Sequence, residues 1–251
     1  MRRVIVTFAG VAPLLFLLLL PRSFAAALGV LMLSHALILY PTLRPNVQWL
    51  GPVVTYFDTN ANEVWLTIDD GPTDDTLALL DALQAREVVA TFFVKGTLAA
   101  ARPDLIRTIV DRGHTIGNHS HTHPSAAFWC LPPERIAHEI DACAETIPPT
   151  TLFRAPVGMK NPFVHPHLAR RGMKLIGWSV RGFDATRDAE EKVVARIVPR
   201  VAPGAIVVMH QGRPWSVRTI VRVVDELRAR GFTFVTPASG RLDGRPPAAP
   251  R

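Results

Sequence analysis

Two almost unbroken apolar runs open the chain. Residues 4–20 (VIVTFAGVAPLLFLLLL) and 24–40 (FAAALGVLMLSHALILY) each hold 14 apolar residues in 17 and no Asp, Glu, Lys or Arg, with only Pro21, Arg22 and Ser23 between them. As helices each would be about 26 Å long, just enough to cross hydrocarbon. Neither run repeats a polar face, and the first does not end in a convincing small-residue cleavage pattern. An integral membrane segment over residues 1–45, with one or two transmembrane helices, is therefore expected rather than a signal peptide followed by a buried helix, or an amphipathic anchor. The side on which the rest of the chain lies stays open: Arg2, Arg3 and Arg44 favour cytoplasmic ends for a two-span arrangement, Arg22 opposes it, and a single span would put the domain outside. His35 reads as a helix-packing residue.

Residues 46–59 read as a connector, following the Pro41, Pro45, Gly51 and Pro52 breakers. Beyond it, short β-rich runs alternate with helical patterns. Strands are predicted at 64–68, 88–94, 114–118, 151–154, 173–180, 205–209 and 232–236, and helices near 74–86, 98–112, 133–146, 165–171, 188–199 and 216–230. The last helix shows the pattern well, with Ile220, Val223, Val224 and Leu227 on one face. Gly113, Gly172 and Gly231 each stand where a helix must stop before a strand. Apolar strands separated by covering helices imply a parallel sheet. The catalytic domain is expected over 60–237, and 238–251, rich in Gly and Pro, is expected to be a flexible tail.

Seven β units suit an incomplete barrel or a doubly wound open sheet. The barrel is favoured because Asp69, Asp70, His119, Arg154, Asp184 and His210 all follow the C-terminal ends of different strands, ends that a βα barrel gathers at one mouth. The formal charge is +7, but residues 1–45 carry four Arg and no acid, leaving 24 basic against 21 acidic residues. That balance argues against a nucleic-acid partner, and nothing implies a protein partner.

The chemistry is concentrated in a few motifs. Thr67-Ile68-Asp69-Asp70-Gly71-Pro72 places adjacent carboxylates at a strand end, where alternation would point them to opposite sides; an Asx-type turn is the structural alternative. His119, His121 and His123 lie within five residues, too many imidazoles for ordinary core packing. His119 and His123 are four apart, the spacing of one helical turn, and with one carboxylate form a two-His, one-Asp set suited to Zn²⁺ or a related divalent ion. His121 is left outside that set. Arg154 ends the fourth strand and is best explained by a carboxylate partner, while His210 by itself fits site or structure equally.

The order TIDDGP, HSHTH, RAP, WSVRGFD and VVMH resembles the metal-dependent polysaccharide deacetylases, the carbohydrate esterase family 4 or NodB-like domain, over about residues 60–237. The resemblance implies a distorted (β/α)₇ TIM-like barrel. It also implies one divalent ion, zinc or else cobalt, nickel or manganese, on Asp70, His119 and His123. Asp69 would be the general base, Arg154 its orienting partner, His210 the general acid and the Val157 backbone N–H an oxyanion donor. The implied reaction is hydrolysis of the N-acetyl amide of a sugar in a polysaccharide, peptidoglycan or lipid-linked glycan. Two positions depart from the family pattern. Val157 stands where an aromatic residue is usual, and the fourth motif has Arg181, Asp184 and Ala185 in place of two Asp and a Trp. Asp184 is then the candidate to replace the missing partner of His210, and Arg181 could meet an anionic substrate.

Trp129, Phe183 and Trp215 follow strand ends and are candidates to stack on sugar rings. Cys130 and Cys143 are read as free thiols, with a bridge the alternative in an exported domain. The competing functions are a metal-dependent deformylase or amidase on a lipid-linked amino sugar, and a glycan-binding membrane protein on a weakened catalytic domain.

Overall fold

The computed structural model describes residues 1–242 apart from Ala126, Arg187 and Asp188. Helices α1 (Arg2–Leu19) and α2 (Phe24–Leu43) form a hairpin, with Ser23 Oγ accepting from Ala26 N at the start of α2. The barrel elements follow: β1 (Glu63–Gly71), α3 (Thr76–Gln84), β2 (Thr91–Val94), α4 (Gly96–Ala101), α5 (Pro103–Asp111), β3 (Thr115–Asn118), α6 (Pro133–Ala144), β4 (Leu152–Phe153), α7 (Val164–Arg170), β5 (Lys174–Leu175), β6 (Val180–Arg181), α8 (Glu190–Ile197), β7 (Ala205–His210), α9 (Ser216–Ala229) and β8 (Thr233–Phe234). The helix expected over 98–112 is divided at Pro103, which starts α5 because proline supplies no N–H for a continuing ladder. The start of the helix expected at 188–199 falls on Asp188, outside the described residues.

All strand pairs are parallel, in the order β5-β4-β3-β2-β1-β7-β6, with β8 beside the start of β1. The sheet is a curled, open half-barrel rather than a closed ring. The strand expected over 173–180 is split: its first part pairs with β4 and its last with β7, and the residues between cross from one edge to the other. The connector closes part of this opening. Val54 N donates to Leu175 O and Gly177 N to Val54 O, and Phe57 N donates to Gly204 O.

Period-two alternation sorts the strands' side chains into two layers. Val64, Leu66 and Ile68 of β1 and Ala205, Val207 and Met209 of β7 pack under the helices. The intervening Trp65, Ile206 and Val208 join Phe57, Phe93, Trp178 and Leu242 in the barrel interior. Further along the same inward faces stand Asp69 and His210. An apolar plug thus fills the base and leaves the polar residues to the mouth.

The segment expected as a mobile tail is tied down as far as Leu242, which is buried, and Arg241 pairs with Glu63; residues 243–251 lie outside the described residues. At the other end, Lys160 Nζ donates to the carbonyls of Pro41, Arg44 and Pro45 at 3.1, 2.9 and 2.8 Å, and Arg2 reaches Pro162 O at 3.2 Å. A cation among the last carbonyls of α2 is the favourable arrangement for a helix C-terminus, although burial draws the Lys160 pKa down to about 8. Both cysteines are free, Cys130 exposed and Cys143 buried, and burial pushes the Cys143 thiol up to about 12.

His114 sits between β2 and β3, where its Nδ1 accepts from Ala90 N at 3.1 Å, and burial pulls its pKa down to about 4. The unfolded chain takes up this proton below about pH 6.5, whereas the folded chain resists it. The contribution is therefore fully present above pH 6.5 and is lost as pH falls through about 4. His114→Asn supplies an amide oxygen for Ala90 N–H without a titrating ring. Its denaturation midpoint is expected to fall less steeply with pH across that window than the wild type's, and equal slopes would show that His114 does not contribute.

Candidate metal centre and active site

The cavity at the strand ends, about 280 Å³, is lined by Asp69, Asp70, His119, His123 and His210 among others. Larger cavities, of about 500, 590 and 480 Å³, lie elsewhere and lack this grouping. Strand alternation alone would turn Asp70 away from Asp69. The ladder between β1 and β2 is irregular between Asp69 and Gly71, and Asp70 has φ 78°, so the bulge turns its carboxylate back into the cavity. The expectation that the two carboxylates face opposite sides is corrected by this left-handed residue. His123, Val157 and Phe183, also in the cavity wall, share the same left-handed region at φ 54°, 48° and 61°. Such backbone is sparsely populated by residues with a Cβ and gathers where a site requires it.

The two histidines come together without the helical turn expected from their spacing. After β3 the chain forms a loop in which Asn118 Oδ1 accepts from Ser120 N and Ser120 Oγ accepts from His123 N. His119 Nε2 and His123 Nε2 then face each other at 3.2 Å. His119 Nδ1 lies 2.9 Å from Arg154 O, and because a carbonyl can only accept, Nδ1 carries the proton and Nε2 presents its lone pair. Ligand atoms of Asp70, His119 and His123 lie within 4.8 Å of one another. His121 is not among them; its ring lies near His138 instead.

These residues fit a divalent ion. Asp70 Oδ1 is buried without a hydrogen-bond partner, and Lys95 Nζ, 2.9 Å away, offers it charge but no aligned hydrogen bond. Burial works against ionising Asp70, yet His119, Lys95, His210 and His123 around it hold the carboxyl below its ordinary range. Burial pulls both histidines downward, His123 to about 3. A charged carboxylate with two neutral imidazoles is the protonation state a metal requires. Lys95 was not singled out in the sequence, although a lone cation ending the apolar run of β2 was a usable signal.

Asp69 is held differently. Arg154 Nη1 donates to Asp69 Oδ1 at 2.7 Å and to Thr67 Oγ1 at 2.8 Å, while Nε and Nη2 reach the carbonyls of Ile176 and Gly177. The guanidinium lies 4.1 Å from the Phe93 ring centroid and is fully buried. Removing one member of a buried pair of this kind costs about 3–5 kcal/mol through the charge left behind.

His210 is the register partner of Asp69 on the neighbouring strand. Buried Asp184 accepts from His210 N at 2.6 Å through Oδ2 and lies 3.0 Å from Nδ1 through Oδ1. Burial opposes a charge on this imidazole, but the hydrogen bond and the charge of Asp184 outweigh it and raise the His210 pKa. The second acid of the fourth motif is thus the one that meets the histidine, and Arg181 does not leave it without a carboxylate.

The aromatic candidates separate. Phe183 is in the cavity wall, and so is Trp178 from the same motif. Trp215 is not among the lining residues; its Nε1 donates to Asp184 O at 3.0 Å. Trp129 lines a different pocket, together with Val6 and Ala9 of α1 and Ile38 and Thr42 of α2.

A family profile described as polysaccharide deacetylase matches residues 57–176. A chitooligosaccharide deacetylase of a Bradyrhizobium species is 34% identical over 69% of this chain and 88% of its own length. A peptidoglycan-N-acetylglucosamine deacetylase of Bacillus cereus is 28% identical over 77% of this chain and 95% of its own. Among solved structures, a family 4 carbohydrate esterase from Streptomyces lividans, in complex with acetate, superposes with a TM-score of 0.67 at 30% identity, covering 74% of this chain and 98% of that one. These relatives overturn the integral-membrane localisation expected from residues 1–45. Nearly the whole Streptomyces esterase is matched by about three quarters of this chain, so a protein of this kind is accounted for without an apolar hairpin. Helices α1 and α2 are long and apolar enough to cross a membrane by length and composition only, a test that a signal sequence also passes. With the fold, the Asp-His-His metal site and these relatives in agreement, the chain belongs to the polysaccharide deacetylase family and is a metal-dependent hydrolase of N-acetylated sugars.

Proposed function

We propose that this chain removes the acetyl group from an N-acetylated sugar within a glycan, with Asp69 as general base and His210 as general acid. The observation that carries this assignment is the in-register pairing of Asp69 with His210 beside the Asp70, His119 and His123 cluster. The chitooligosaccharide and peptidoglycan relatives support a glycan of N-acetylated sugars as the substrate.

When bound, a divalent ion at Asp70, His119 and His123 supplies the Lewis acidity that amide hydrolysis needs. The remaining work falls to side chains of the barrel mouth. Asp69 takes the proton from the attacking water, and Arg154 orients it from behind. The Val157 N–H serves as a donor to the negative charge developing on the acetyl oxygen. An amine leaves poorly unless protonated, and His210 delivers that proton through Nε2, its Nδ1 being held by Asp184. Phe183, exposed in the cavity wall, offers the sugar the aromatic surface that Val157 lacks.

The Asp69→Asn protein is expected to keep its metal and to lose ~10²–10⁴-fold in kcat, whereas His123→Ala loses the metal itself. Elemental analysis and acetate release on the same preparations separate the two, and a wild-type rate for Asp69→Asn would remove the base assignment. Asp184 raises the His210 pKa, so it extends the protonated, active form of the acid toward higher pH. In Asp184→Asn that pKa drops and the alkaline limb of the kcat profile moves to lower pH; an unmoved limb would mean that His210 is not the acid.

A further inference from the structure

Arg181 is a cation of the catalytic cavity for which the hydrolysis has no use. It ends β6 level with Val208 of β7, and His210 stands two residues further along that strand on the same inward face. Two residues of strand span roughly 6.6 Å, comparable with one sugar ring. The guanidinium is half-buried, 4.0 Å from the Phe183 ring centroid and 5.3 Å from that of Trp178.

No described residue forms a hydrogen bond or ion pair with it. The acids nearby are engaged elsewhere: Asp184 by the Nδ1 and backbone N of His210, Asp69 by Arg154, Asp70 by the triad and Lys95. Stacking on rings uses the planar faces of a guanidinium and leaves its N–H edge open. A charge half-withdrawn from water with an open donor edge is set to receive an anion, and a carboxylate or phosphate matches its fork. Arg213, exposed in the wall of the same cavity, adds a second positive charge without an ion pair to any described residue.

We infer that Arg181, assisted by Arg213, makes the cavity selective for N-acetylated sugars that carry an acidic group, carboxylate or phosphate, close to the acetamido group. The inference rests on the hydrolytic function proposed above and deepens it by naming the substrate class. Carboxylate and phosphate present the same oxygen geometry to the fork, so the test carries an arm for each.

Binding is measured by calorimetry on the chelated wild-type chain, in which no turnover consumes the sugar. The probes are N,N′-diacetylchitobiose, its 1-phosphate, and the disaccharide of N-acetylglucosamine and N-acetylmuramic acid. At least one acidic disaccharide is expected to bind about tenfold or more tightly than the neutral one at low salt, as a charge-assisted contact would provide. That advantage shrinks as salt is raised, is lost in Arg181→Gln and is partly kept in Arg181→Lys. Equal affinity for the three sugars, or an advantage untouched by Arg181→Gln, overturns the inference. Acetate release by the metal-loaded chain on the same sugars tests the hydrolysis separately: a tenfold binding advantage with no acetate from any sugar sinks the hydrolytic assignment and leaves the selectivity standing.

Discussion

Two carboxylates on consecutive residues must enter one cavity and yet remain chemically distinct. A regular strand cannot do this, because neighbouring side chains leave on opposite faces. The left-handed backbone at Asp70 brings the second carboxylate round to join the first. What then separates them is their partners. Asp69 is bound to a buried guanidinium that is itself held by Thr67 and two carbonyls, while Asp70 keeps an oxygen free of hydrogen bonds and turned toward two imidazoles. One acid is thereby fixed in place by protein, and the other is left for a metal.

The histidines are divided by the same logic. His119 and His123 are pushed toward the neutral form by burial, which suits ligands, whereas His210 is drawn toward the charged form by Asp184, which suits a proton donor. Environment, not residue type, distributes these roles. The supporting parts are distant in the chain: Arg154 O orients His119, and Trp215 pins the backbone of Asp184. A barrel makes such cross-support available because consecutive strand ends are neighbours in space.

Around this shared machinery the chain has individual features. Arg181, without a hydrogen bond or ion pair to any described residue, lies in the cavity wall beside the rings of Phe183 and Trp178. The apolar hairpin is attached to the domain through Lys160 and the connector, and its residues line one pocket together with Trp129, away from the catalytic cavity.

Much of this was legible in residue order. Period-two strands, amphipathic helices and glycine stops carried the βα rhythm, because each depends on which side of a local element is apolar. The residue types of the metal set followed from donor chemistry, whereas the helical turn expected to pair His119 with His123 is replaced by a loop held through Ser120. Long-range geometry lay beyond such signals. That the strand at 173–180 would divide between two edges depends on the curl of the whole sheet and on Val54 bridging the opening. That Asp69 and Asp70 share a cavity depends on one left-handed residue, and that Asp184 meets His210 depends on the packing of β6 against β7. The sequence by itself determined which chemical groups were available and which faces were apolar, since both are local properties. Only the tertiary structure decided which groups meet, because contact between residues far apart in the chain, such as Asp69 and His210, is set by strand register and barrel curvature.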